Sequence, residues 1–351
     1  MKLLPISSPR LKLLFLTLMH FATDGLCSYL IFSRLYPQNF EYMLLVFLGY
    51  NIFAFVSQSP VGMLIDKYNK PKTFLALSMA FMILGYAFGN FWIVSVLFIG
   101  ISNSLFHVAG GKYVTDKSGN DISHLGIFVS TGAIGLVVGQ RYLSLVFLPY
   151  ILFAMFILCG LLVIFSEDSE TKTYPEKYDD SKGADIAILI VLAVVFIRSF
   201  VGKAVSPGFT PHLHEFLLIG VATALGKAMG GIVSKRIGIR VTTYASMAVA
   251  AVCLTLGTGN IYTCILGVFA FNFSMPVTLY FANILMKGKE GFAFGTLAAT
   301  LAPGYFLAML FTYSIGMRVL VGIMCILSML AIIIISKRIN YAETSSANDN
   351  S

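Results

Sequence analysis

Charge is what this chain has least of. Only 11% of its 351 residues are Asp, Glu, Lys or Arg, where a soluble domain carries about 25%. With 58% hydrophobic residues beside it, that shortage excludes an ordinary soluble domain. The net charge of +8 does not indicate nucleic acid, because the basic residues alternate with apolar runs and form no patch. The five cysteines (Cys27, Cys159, Cys253, Cys264, Cys325) all fall inside apolar runs. They offer neither a disulfide framework nor a zinc-ligand spacing, so neither metal nor cofactor is expected. A Gly-x-x-x-x-Gly-Lys-Ser/Thr loop is missing, which excludes direct use of ATP. No Ser/His/Asp or His-x-x-x-His constellation occurs, which counts against an enzyme. No small-residue cleavage site follows the first apolar run, so no cleavable signal is expected.

What is present is one apolar run after another, each about twenty residues long, as a bilayer requires. The expected spans are 11–33, 43–65, 73–89, 92–111, 124–140, 145–165, 185–205, 215–234, 242–257, 261–284, 293–313 and 317–336, the third and fifth having the weakest claim to full length. One sizeable hydrophilic segment, Ser166–Gly183, separates the sixth from the seventh. The expectation is therefore an all-α membrane protein with twelve transmembrane helices in two six-helix bundles. The N-terminal bundle would be 1–165, a cytoplasmic linker 166–184, the C-terminal bundle 185–339 and a cytoplasmic tail 340–351.

Orientation follows from the basic residues. Eighteen of the 24 Lys and Arg lie on one side of that arrangement: Lys2, Arg10 and Lys12; Lys67, Lys70 and Lys72; Lys112 and Lys117; Lys172, Lys177 and Lys182; Lys235, Arg236 and Arg240; Lys287 and Lys289; Lys337 and Arg338. The excess of cytoplasmic Lys and Arg in membrane proteins puts both termini in the cytoplasm.

The first run, Leu11 to Leu35, holds two ionisable groups near its middle. His20 and Asp24 are four residues apart and share one helix face. Of sixteen acids, Asp24 is the one placed near mid-membrane, where a carboxylate costs about 2.5 kcal/mol or more. Such a group normally faces a wet cavity and marks an ion or solute path; the plainer alternative is a fixed salt bridge to Arg198 or Lys227. His20 suits a proton relay, or a packing role bonded to a backbone carbonyl.

The end of span two reads Gln58-Ser-Pro60-Val-Gly62-Met-Leu-Ile-Asp66-Lys67-Tyr-Asn69-Lys70-Pro-Lys72, and the corresponding place after span eight reads Gly231-Ile-Val-Ser-Lys235-Arg236-Ile-Gly238-Ile-Arg240. These matching positions indicate an internal repeat. The first stretch resembles the loop signature of the major facilitator superfamily, Gly-x-x-x-Asp-(Arg/Lys)-x-Gly-(Arg/Lys)-x-(Arg/Lys). Asn69 replaces its second glycine, and asparagine also tolerates positive φ; in the second copy Lys235 stands where the acid would be. His20-Phe-Ala-Thr-Asp24, Gln58-x-Pro60-x-Gly62, Asn103-Ser-Leu-Phe-His107-Val-Ala-Gly-Gly111 and the small-residue stripe Gly132, Gly135, Gly139 are similar to the fosmidomycin-resistance-type branch. Gln140 stands where that branch often has proline. The resemblance implies a cavity between two bundles, alternating access by rocking, and a conformational latch at Gly62, Asp66, Lys67 and Lys70.

Candidate ligand contacts are His107, Arg198 and Lys227, with Tyr50, Gln58, Asn103, Asn272, Tyr280 and Tyr305; for each of the neutral ones interhelical packing is an equal alternative. Arg198 and Lys227 would meet an anionic group or reach an interface by snorkelling. Pro276 and Pro303 are expected kinks. His124, His212 and His214 are expected in loops or at span ends. The function so implied is a proton-coupled secondary transporter of a small neutral or anionic organic solute, working in the lipid bilayer of a bacterial inner membrane as a monomer. The resemblance points to efflux; an uptake symporter, a uniporter, or an enzyme using His20, Asp24 and His107 on lipids are the alternatives.

Overall fold

A computed structural model describes residues 8–167, 184–205, 212–256, 259–311 and 314–348, with side chains as far as 339. Most of the linker expected at 166–184, and the end of the chain, lie outside the described residues. The described chain is a succession of helices. We label them α1 (Pro9–Gln38), α2 (Phe40–Tyr68), α3 (Pro71–Ala87), α4 (Trp92–Ser118), α5 (Ile122–Arg141), α6 (Leu148–Ile164), α7 (Ala184–Ala204), α8 (Leu213–Ile237), α9 (Ile239–Leu256), α10 (Ile261–Leu285), α11 (Glu290–Met309) and α12 (Ile315–Ile339).

Ten of these are long and apolar enough to cross a membrane. The exceptions are α3 and α6, each of 17 residues, which at 1.5 Å per residue reach about 25 Å against a hydrocarbon core of about 30 Å. The third run was expected to be short. The fifth, also expected short, is a full 20 residues, and the sixth takes its place, because Pro149 fixes the start of α6 at Leu148 and proline is preorganised for a first helical turn.

Local chemistry sets several boundaries. Asn69 ends α2 in the left-handed region, at φ 50°, as the asparagine in the loop signature suggests, and Pro71 then starts α3. Asn260 accepts a hydrogen bond from the Tyr262 amide (2.9 Å) and caps α10, and Glu215 bonds back to the His212 amide at the start of α8. π-helical turns at Ile31–Leu35 and Ile52–Val56 loosen α1 and α2. Pro303 lies inside α11, which continues through it. Around Pro276 the outcome is a break, not a kink: α10 opens into a turn at Asn272 and Phe273 and resumes at Ser274, since proline cannot bond the carbonyl four residues earlier.

The described chain forms two compact units. The first gathers α1–α4, α5 from Ile127, α6, and the start of α11 as far as Ala299; the second holds 119–126, α7–α10, α11 from Thr300, and α12. The first is filled by Leu16, Met19, Leu26, Leu35, Leu75, Phe106, Phe128 and Phe156, all fully buried. The second has a core of Val201, Met247, Ala250, Leu254, Phe271 and Cys325. Large apolar side chains such as Val146, Phe147, Ile151, Ile186, Leu189 and Ile334 remain outside. So much exposed hydrocarbon suits lipid and would drive association in water.

Candidate functional site

In the first unit α1 and α5 approach until their backbones touch. A Cβ on Gly135 would sit 2.1 Å from the Phe21 carbonyl oxygen, and one on Gly139 2.2 Å from that of Gly25. The small-residue stripe therefore permits a separation that any other residue would prevent. Thr131 and Ser28 hydroxyls donate across the same contact, to Thr17 O (2.5 Å) and Leu136 O (3.0 Å). The result places the polar face of α1 against α4 and the first turn of the glycine stripe.

Three ionisable side chains converge there. His20 Nε2 lies 2.9 Å from His107 Nε2, and the Asp24 carboxylate is 3.4 Å from the first and 3.6 Å from the second. Asn103 donates to Asp24 Oδ1 at 3.1 Å. His20 and Asn103 are buried, while the Asp24 side chain keeps 19% of its surface accessible. The other ring nitrogens identify the tautomers. His20 Nδ1 is 2.7 Å from the Phe128 carbonyl and His107 Nδ1 2.9 Å from that of Asn103. A carbonyl only accepts, so each Nδ1 carries the hydrogen and each neutral ring turns an Nε2 lone pair toward the other. Two facing lone pairs at 2.9 Å require a positive species between them. Gly132 completes the site: a Cβ there would lie 2.3 Å from both Asp24 Oδ2 and His20 Nε2.

The structure thus joins His20, Asp24, His107 and Asn103. Tyr50 is close by, beside Cys27, which Asn103 also contacts at 3.9 Å. Gln58 is fully buried and donates to Ala54 O (2.7 Å). Gly132 was noted only as part of a packing stripe; its contact with the triad depends on residues more than a hundred positions away.

A second cluster lies in the same unit. Asp66 accepts hydrogen bonds from the Gly291 and Phe292 amides at 2.9 and 2.8 Å, where the first turn of α11 presents unpaired N–H groups. A Cβ on Gly62 would meet Gly291 O at 2.3 Å, so that glycine is what lets the two helices meet. Buried Lys112 stands 3.4 Å from Asp66, 3.4 Å from Asp116 and 3.3 Å from Glu290. Lys67 and Lys70 are exposed and do not join the cluster. Sequence reading missed Lys112, Asp116 and Glu290 as neighbours of Asp66, although the Lys112–Asp116 spacing of one helical turn is a readable pairing signal.

The second unit carries a counterpart of opposite polarity. Gly231 packs on the start of α5, where an added Cβ would meet Ile122 O at 2.3 Å, and Lys235 bonds to Asp121, which also faces His124 Nδ1 at 3.1 Å. Burial raises the pKa of Asp121, but hydrogen bonds from His124, Lys235 and Ser123 outweigh it and leave the group well below the usual carboxylate range. A lowered carboxylate pKa stabilises its contacts above the unfolded value near 3.9 and gives way only as the pH falls below it. This contact is therefore constant across neutral pH.

Arg198 is buried and donates to the Thr278 hydroxyl at 2.8 Å; no carboxylate pairs with it among the described residues. Asn272 donates to Val268 O (2.8 Å), Tyr280 accepts at its carbonyl from Asn120 (3.2 Å), and Lys203 stands over the Tyr305 ring at 5.6 Å. Lys227 is half-buried on α8. His212 and His214 stack at the start of α8, ring centroids 5.7 Å apart.

Similarity to solved structures identifies the fold. The Escherichia coli fucose:proton symporter superposes with a TM-score of 0.67 at 12% identity, over 92% of this chain and 97% of that one. A bacterial homologue of the iron transporter ferroportin, in an outward-facing state, gives 0.59 at 12% identity, over 96% and 99%. No protein-family model and no curated protein matches the chain in sequence. At 12% identity these likenesses show that the chain shares the fold of these two proteins.

Proposed function

We propose that the protein is a secondary active transporter that couples a small solute to protons through His20, Asp24 and His107. The observation that carries this is the pair of facing imidazoles 2.9 Å apart beside a partly accessible carboxylate, on helices α1 and α4 of a transporter fold. Such a cluster holds a proton between the rings and gives it up when its surroundings change. Membrane-embedded groups of this kind act as proton relays in transporters.

The solute is a small organic molecule, neutral or anionic. A buried guanidinium that no carboxylate pairs with among the described residues favours negative charge, and in this reading Arg198, with Lys227, meets the solute. Twelve spans in two six-helix bundles, α3 and α6 included, with both termini in the cytoplasm of a bacterial cell, would move by alternating access. Gly62 and Asp66 form the latch that must open in each cycle, and resemblance in the motifs points to efflux by a monomer.

Flux in proteoliposomes under an imposed pH gradient tests it, with anionic and neutral solutes compared side by side. Asp24→Asn is expected to abolish gradient-driven movement while leaving solute exchange without a gradient measurable. Gradient-driven flux that survives the substitution removes Asp24 from coupling.

A further inference from the structure

We infer that His20, Asp24 and His107 form a binding site for one divalent transition-metal ion. The inference deepens the reading of this cluster as the ion site of transport, because a metal ion and a proton are alternative occupants of the same lone pairs. Three donor atoms, one from each side chain, lie within 4.8 Å of one another; the two Nε2 atoms are 2.9 Å apart, Asp24 Oδ2 is 3.4 Å from that of His20, and Asp24 Oδ1 is 3.6 Å from that of His107. Donors bound at about 2.1 Å to a tetrahedral ion stand roughly 3.4 Å apart. Each Asp24 oxygen stands near that distance from one histidine, so a turn of the carboxylate and a parting of the imidazoles by a few tenths of an ångström complete the set.

The surroundings are those of a ligand shell. Each histidine donates its other ring nitrogen to a backbone carbonyl, Phe128 O or Asn103 O, the arrangement that fixes tautomer and orientation in metal sites. The carboxylate is held by the Asn103 amide. Asn103 Oδ1 is buried and has no hydrogen-bond partner among the described residues. Gly132 keeps the donors clear on the α5 side. Three protein ligands leave coordination positions open, as a site that must also release its ion requires. Two imidazoles and one carboxylate favour zinc, iron(II), cobalt or manganese over magnesium and calcium, which prefer all-oxygen shells.

The test is equilibrium binding to the purified full-length protein, stripped with chelator and titrated with Co2+, read by the visible d–d absorption of the bound ion and by calorimetry. One ion per chain is expected, displaced by Zn2+. His20→Ala, His107→Ala and Asp24→Asn should each weaken binding by more than tenfold, and Asn103→Ala by roughly tenfold. The His212→Ala/His214→Ala double variant should bind as wild type. If the alanine variants fail to fold, Gly132→Ala, which crowds the donors, and the Zn2+-dependent rise in unfolding temperature of Asp24→Asn against wild type decide the matter. No Co2+ absorption, binding retained in the triad variants, or binding lost only in the His212/His214 double variant overturns the inference. Because binding is read without transport, a variant that loses Co2+ but keeps proton-driven flux sinks the coupling role alone, and the reverse result sinks the metal site alone.

Discussion

At the scale of single residues the site turns on where atoms are missing as much as on where they are. Gly132 faces two groups of the proposed coupling site, His20 and Asp24, and a methyl group there would lie 2.3 Å from each, far inside van der Waals contact. Overpacking of this kind costs about 1–3 kcal/mol, and here the strain falls directly on His20 and Asp24. Gly132→Ala is therefore expected to cut gradient-driven flux by about tenfold or more with little change in membrane expression. Gly202→Ala is the control, since nothing lies within 4 Å of a Cβ at that position. Equal flux in the two variants would show that the room beside the triad is not used.

At the scale of elements the question is what ties helices together strongly enough to define a state. Asp66 receives two short amide hydrogen bonds from the first turn of α11, each of the charge-assisted kind worth about 1.5–3 kcal/mol. Asparagine presents one acceptor oxygen and a donor that faces another N–H. Asp66→Asn should accelerate hydrogen exchange at the Gly291 and Phe292 amides by about tenfold or more, measured by mass spectrometry on peptides covering 289–299, while peptides of α6 keep wild-type rates. Lys67→Ala and Lys70→Ala should leave that exchange unchanged, because both side chains are exposed and outside the cluster. Fast exchange in the lysine variants, or slow exchange in Asp66→Asn, would remove the latch role from Asp66. The Lys235–Asp121 contact parallels the Asp66 cluster with the charges exchanged: a glycine stands one turn before Lys235, as one does before Asp66, and the acid lies on the partner.

At the scale of the whole molecule the sidedness of the chain can be read by chemistry from outside. The proposed orientation puts Lys70 in the cytoplasm and Asn90, three residues past the end of α3, on the opposite face. In a variant without native cysteines, Lys70→Cys should react with a membrane-impermeant maleimide only in inverted vesicles, and Asn90→Cys only in intact cells. Labelling of both from one side would mean that α3, short by about 5 Å, does not cross. That outcome would reduce the twelve-span layout and reverse every later helix.

The all-helical, apolar character and the unusual carboxylate of α1 were legible in the chain because they depend on local composition: a bilayer sets span length, and a lone acid in hydrocarbon is conspicuous wherever it occurs. The left-handed Asn69 and the Gly62–Asp66 signature were legible for the same reason, since a turn needs only its own few residues. What the tertiary structure alone decided is which distant groups meet. His107 comes to His20 across 87 positions, Asp66 to α11 across 225, and Gly132 to both triad side chains, because helices packed at glycine contacts bring together residues that no spacing relates. Solvation and chain geometry act residue by residue and can be read in order along the chain; convergence depends on how helices pack, and it exists only once they have.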